Sequence, residues 1–281
     1  MCNLKNNSVF KEKYDFIFSL GAACLCTQTL RMCDLQYASY PFDWVYGSTL
    51  KERALMLKNS FPDWLPKDFL ECVGEQLVEK IPKLVYKNSI TGIVFNHDFS
   101  LHEDFEVSYP TVKAKYDRRI ARLYKSIRAS RTVLMVYIKR PNADVMETNE
   151  EIIEAQKNVS SKFPGVKIHL LYLNNDDNVP IEKGTDVEML AEGVFRARFC
   201  YNAFNVEIPY AVNFDVLKAF FSNLYLSYKL LRPLDRLNKW SLRHPVLSFF
   251  LSGRINARGF QIIKVFRIRI AKFKRKSNQN P

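Results

Sequence analysis

The stretch between residues 132 and 173 constrains the fold of this chain more than any other. Thr132–Ile138 (TVLMVYI) is an unbroken apolar run of strand length, rich in β-branched residues, and 166–173 (VKIHLLYL) is a second. Between them Thr148-Asn149-Glu150-Glu151 has the pattern of a capping box, in which a threonine and a glutamate three residues on satisfy each other's backbone N–H groups. It opens a predicted helix that runs to Phe163 and is stopped by Pro164-Gly165. Strand, helix and strand at this spacing predict a βαβ unit, whose strands are parallel and covered by the helix. That places the chain in the α/β class.

The remaining segments extend this pattern. Residues 14–20 (YDFIFSL) predict a buried first strand, Gly21 a turn, and 22–32 a helix. Residues 39–44 (SYPFDW) predict an irregular loop, since Pro41 is excluded from a helix interior. Helices are predicted over 50–58 and 67–79, separated by Pro62 and Pro66, and a strand over 91–99 (TGIVFNHDF). In 116–127, Tyr116, Ile120, Leu123 and Ile127 recur at helical spacing on one face. A strand over 194–200 and an apolar helix over 216–231, stopped by Pro233, complete the series. The expected architecture is a layered α/β domain over 1–230, with a mostly parallel sheet and flanking helices, followed by a basic helical C-terminal extension over 231–281.

Charge sharpens that boundary. Of the 42 basic residues 12 follow residue 232, but only 1 of the 29 acids, Asp235, does, so residues 233–281 hold +11 of the net +13 and residues 1–232 +2. A nearly neutral body argues against a basic nucleic-acid cleft and for a surface-binding tail. The six cysteines (Cys2, Cys24, Cys26, Cys33, Cys72, Cys200) are irregularly spaced without a CxxC pair, which argues against a structural metal and a disulfide framework and suits a cytoplasmic setting. Gly21-Ala22-Ala23-Cys24 after an apolar run has the look of a lipoprotein cleavage site, but the run is short and Glu12 and Asp15 lie against it. No stretch reaches the length of about 18 apolar residues that a spanning helix requires.

Chemistry is most readily placed at Cys24. A cysteine in the first turn of a helix after a strand lies at the carboxyl end of the sheet, where open α/β folds gather ligands, and the helix dipole favours its thiolate. The alternative is a small buried hydrophobe, the expected role of Cys26 and Cys33. A thiol nucleophile needs a base. Of His97, His102, His169 and His244, His97 stands at a strand end between Asn96 and Asp98, whereas His169 alternates within an apolar strand and reads as core. Asp43, inside Pro41-Phe42-Asp43-Trp44, either orients an imidazole or caps its own turn, with Trp44 shielding a site or filling the core. Arg118, Arg119 and Arg122, off the apolar face of their helix, either grip a phosphate or form a solvated row.

Together, Ser19-Leu20-Gly21-Ala22-Ala23-Cys24, Leu30-Arg31, Pro41-Phe42-Asp43-Trp44 and His97-Asp98-Phe99 resemble the signature of a bacterial family named for papain-like cysteine peptidases. Tyr116-Asp117-Arg118-Arg119-Ile120 is similar to that family's following arginine helix. The resemblance spans roughly the first 210 residues, with its motifs concentrated in the first 45. It implies Cys24 as nucleophile and His97 as base; the expected site adds Asp43 or Asp98 as the acid orienting the imidazole, and Arg31 and Trp44 as substrate- or anion-binding residues. It further implies an association with surface-polysaccharide genes, and similarity to a capsule-biosynthesis group that binds coenzyme A and transfers acetyl groups. The expected function is therefore a peptidase or thiol hydrolase working on a peptide, glycan or acyl substrate without a required cofactor. The alternatives are an acyltransferase that uses coenzyme A to modify surface polysaccharide or a lipid-linked glycan, and a non-catalytic module of a glycan-assembly complex.

The extension carries a separate expectation. In 260–276 (FQIIKVFRIRIAKFKRK) a helix would gather Ile262, Ile263, Phe266, Ile270 and Phe273 on one side and Lys264, Arg267 and Lys274 largely opposite. Such a helix would lie on an anionic membrane and hold the protein at the inner face, with nucleic acid the weaker partner. An edge strand over 266–270 or an unstructured basic end are the other readings.

Overall fold

The computed structural model describes residues 8–78, 80–139, 146–176, 178–180, 185–199, 214–227, 236–237, 240, 251–255, 260–265 and 268–274. The chain divides into two units, Met1–Ser227 and Tyr228–Pro281. The first begins with α1 (Ser8–Lys11), β1 (Lys13–Tyr14), β2 (Phe16–Ser19), α2 (Cys24–Met32), a 3₁₀ turn (Pro41–Trp44), β3 (Val45–Tyr46) and α3 (Leu50–Lys58). It continues with β4 (Leu70–Val78), β5 (Ile81–Asn88), β6 (Val94–Ser100), α4 (Phe105–Arg128), β7 (Thr132–Ile138), α5 (Asn149–Lys162) and β8 (Lys167–Asn175). Then come β9 (Thr185–Ala191), β10 (Val194–Phe199), α6 (Phe214–Phe221) and β11 (Tyr225–Leu226). The second unit contains β12 (Leu251–Ile255), β13 (Phe260–Val265) and β14 (Ile268–Lys274).

The βαβ unit forms as its sequence dictates. β7 and β8 run parallel, from Thr132 opposite Lys167 to Ile138 opposite Leu173. Thr148 N–H donates to the Glu151 carboxylate at 2.9 Å and Glu151 N–H to Thr148 Oγ1 at 3.2 Å, closing the capping box of α5. The five-stranded sheet has the order β2-β7-β8-β10-β9, and its apolar runs are buried because helices cover them. β2, β7, β8 and β10 are parallel neighbours, whereas β9 returns antiparallel to β10.

Four expectations are corrected. The helix expected over 216–231 ends at Phe221, and Tyr225–Leu226 forms β11. The sheets are mixed or antiparallel rather than one mostly parallel layer: a separate four-stranded antiparallel sheet, β3-β6-β5-β4, packs beside α4. Within it, 67–79 forms a single 3₁₀ turn and β4 instead of a helix. Leu70, Val73 and Leu77 recur at helical spacing, but Gly74 weakens a helix there, and a turn around Lys80 (φ 69°) pairs the stretch with the β-rich segment after it. In the extension Arg236, Leu237 and Trp240 are helical, but 251–255, 260–265 and 268–274 form strands instead of a helix. Its three strands pair antiparallel in the order β12-β13-β14, because isoleucines at 255, 262, 263, 268 and 270 favour extended backbone. His244, Cys2, Cys200 and the stop at Pro233 lie outside the described residues.

Candidate active site

The turn between β2 and α2 is built around Gly21, whose φ of +57° is left-handed. A Cβ there would sit 2.9 Å from Ser19 Oγ and 3.3 Å from Arg53 Nη1. Arg53, from α3, is completely buried and holds this turn. It donates to the carbonyls of Leu20 (3.0 Å), Gly21 (3.4 Å) and Ala22 (3.4 Å), and also to Val45 O (3.4 Å) and Ser48 Oγ (3.0 Å). One guanidinium therefore ties the approach to Cys24 to the segment after Trp44. Cys24 follows as the first residue of α2, half-buried, and the N-cap Ala23 offers no side-chain acceptor to the first-turn N–H groups.

Cys26, two residues on, differs in every respect. It is fully buried, its thiol donates to Val136 O at 3.3 Å, and burial pushes that thiol up to about 12. It remains a protonated packing group.

Asp43 organises the second wall. Its carboxylate accepts from Thr27 Oγ1 (3.0 Å), Gln36 Nε2 (2.8 Å) and Tyr40 N–H (2.8 Å), with Arg31 Nη2 at 3.9 Å. Burial pushes this carboxyl above the usual carboxylate range, opposed by the Arg31 guanidinium and these donors. Gln36 also accepts from Ser19 N–H at 3.0 Å, so the 3₁₀ turn is fastened to the end of β2. The next residue, Trp44, is thereby held with Arg31 stacked at 5.2 Å from its ring centroid and His97 edge-on at 5.6 Å.

His97 owes its position to an irregularity in β6. Between the pairs Leu84–Phe99 and Tyr86–Phe95, the single Val85 of β5 faces three residues of β6, Asn96, His97 and Asp98. Such a bulge re-aims side chains that regular alternation would send elsewhere. Asn96 and His97 both line a cleft of about 150 Å³ together with Ala23, Cys24, Trp44, Val45, Tyr46 and Gln76. Asn96 Nδ2 donates to Gln76 Oε1 at 3.1 Å across it.

The structure thus brings Cys24, Trp44 and His97 to one cleft, and Asp43 and Asp98 are not among its lining residues. Asp98 accepts from Tyr116 Oη at 2.7 Å and pairs with Lys115, so α4 engages both its oxygens. The arginines expected to form one row are separated. Arg122 donates to Ser39 O at 2.8 Å, Arg119 stacks 4.9 Å from the Tyr116 centroid, and Arg118 is exposed. Arg31 donates to Ser39 Oγ at 2.8 Å, so Arg31 and Arg122 brace the loop leading to Trp44.

Arg53 and Gln76 were missed from the sequence. The signal for Arg53 was present: it lies three residues from Leu50 and four from Leu57, on the apolar face of its own helix. Gln76 carries no local signal, because its place depends on the β4–β5 pairing. Among the described residues no group of three His, Cys, Asp or Glu side chains could hold a metal, and no helix is long and apolar enough to cross a membrane.

A family model described as "Putative papain-like cysteine peptidase (DUF1796)" matches residues 15–178, the span that holds Cys24, Trp44 and His97. No curated protein and no solved structure matches the chain.

Proposed function

The chain belongs to the papain-like cysteine peptidase family DUF1796, and from that premise we propose that it performs acyl chemistry through Cys24, with His97 as base. The observation that supports this most is the shared cleft: Cys24 and His97, more than seventy positions apart in the chain, both line it, Cys24 as the first residue of α2. In this reading His97 takes the Cys24 proton and the sulfur attacks the acyl carbonyl carbon. The C=O bond becomes an oxyanion stabilised by the first-turn N–H groups of α2. As the intermediate collapses, the leaving group departs with the proton from His97 and a thioester remains on Cys24. The acceptor, water or a glycan hydroxyl, gives its proton to His97, attacks the thioester carbon and restores the thiol. Hydrolysis and acyl transfer differ only in that acceptor, and coenzyme A would serve as donor in the second case.

Asp43 and Asp98 act here as positioning residues, one through the Trp44 turn and the other through the β6–α4 junction. A cleft of about 150 Å³ is small beside an ordinary ligand pocket, so it admits the acyl end of a substrate while the rest lies outside.

Iodoacetamide labelling of the folded protein near neutral pH, read by mass spectrometry, tests the thiol assignment. Cys24 is expected to react faster than the more exposed Cys72, and His97→Ala to slow it at least tenfold. Cys24 reacting no faster than Cys72, or unaffected by His97→Ala, would leave both residues structural. On a substrate once found, Cys24→Ser is expected to abolish turnover with the fold intact.

A further inference from the structure

We propose that the C-terminal unit is an electrostatic docking surface for anionic phospholipid headgroups, formed by one face of its three-stranded sheet. The assignment rests on register. Directly paired residues of antiparallel strands share a face, and successive residues alternate. Ser252 pairs with Lys264, Lys264 with Arg269, Arg254 with Ile262, Ile262 with Lys272, and Phe260 with Lys274. One face therefore collects Arg254, Lys264, Arg269, Lys272 and Lys274. The opposite face collects Leu251, Ile255, Ile263, Val265, Ile268 and Phe273 through the alternate pairs.

A bulge makes the separation possible. Between the pairs Ile263–Ala271 and Lys264–Arg269, β14 has one extra residue, Ile270. Without it, Arg269 would share the face of Ala271 and Phe273; with it, Arg269 joins Lys272. Five cations thus fall on one face, and the last acid of the chain is Asp235, upstream of all three strands.

Charge complementarity calls for a polyanion, and the form of the face favours a membrane. Strands of five to seven residues, spaced about 4.8 Å apart, make a short planar array suited to a plane of headgroups. Sheets that bind single-stranded nucleic acid stack bases on aromatic residues. The cationic face carries one aromatic, Phe260, at the end of its strand.

The test is sedimentation of the full chain with phosphatidylcholine vesicles, with and without phosphatidylglycerol. Binding to the anionic vesicles is expected at low salt, and its loss at high salt. The triple variant Lys264→Gln/Arg269→Gln/Lys272→Gln is expected to bind about 100-fold more weakly, each cation near the surface contributing comparably. The control Lys51→Gln/Lys87→Gln/Lys157→Gln removes the same charge from exposed positions of the body and should change binding less than threefold. Lys264→Arg/Lys272→Arg, which preserves charge, should bind as the parent does and guards against misfolding of the glutamine variant. Equal losses in both triple variants, equal binding to neutral vesicles, or displacement from vesicles by an oligonucleotide at lower concentration would overturn the proposal.

Discussion

Arg53 sits at zero exposure with its guanidinium spread over carbonyls from two separated segments. Buried donors of this kind are costly to remove, because each carbonyl left behind loses its partner without regaining water. Arg53→Met is expected to lower stability in urea by about 3–5 kcal/mol, and to slow Cys24 alkylation under conditions where the fold persists. A change below about 1 kcal/mol would show that the turn holds itself. His169 provides a second test at this scale. Tyr14 Oη and its Nδ1 are hydrogen-bonded at 3.0 Å, and burial, aided by Lys167, lowers the imidazole to about 4. The unfolded chain binds this proton from about pH 6.5 downward and the folded chain only near 4, so stability falls on acidification through that window. The full effect is about 3 kcal/mol. His169→Gln should flatten the profile of denaturation midpoint against pH between 6.5 and 4, whereas an unchanged slope would assign it to other groups.

At the scale of elements, the antiparallel sheet brings His97 to the cleft that Cys24 lines through one bulge and one close backbone approach. Gly47, directly after β3, has φ +109°, and a Cβ there would lie 2.1 Å from Gly92 O. No side-chain rotation relieves a contact with backbone, so Gly47→Ala must separate β3 from the turn before β6. A loss of about 2–4 kcal/mol is expected in thermal or urea unfolding, with slower Cys24 labelling, since Val45, Tyr46 and His97 line the same cleft. Stability within about 0.5 kcal/mol of the parent would mean that the two segments separate freely.

For the whole molecule, the division after Ser227 predicts independent folding of the body. β11 pairs in parallel with β1, so the last described strand of the first unit closes back onto its first. A chain ending at Ser227 is expected to retain a single cooperative thermal transition and the labelling rate of Cys24. Loss of either would show that the body requires the extension.

The sequence by itself determined the βαβ unit, the first strand with Cys24 at its helix start, the break from helix at Pro41 and the charge boundary. Each rests on local physics: a capping box, an apolar run, a proline or a block of cations acts within a few residues. Tertiary structure decided the rest. Residues 70–78 became a strand because β5 offered a partner, and nothing within them specified that pairing. Arg269 shares a face with Lys264 and Lys272 because a bulge in β14 shifts its register against β13. Asp98 beside His97 suggested an orienting acid, and in the structure α4 engages that carboxylate through Lys115 and Tyr116, while Trp44 lies edge-on to the His97 ring. Adjacency in sequence fixes which residues are near along the chain, whereas strand register and bulges decide which face each residue presents.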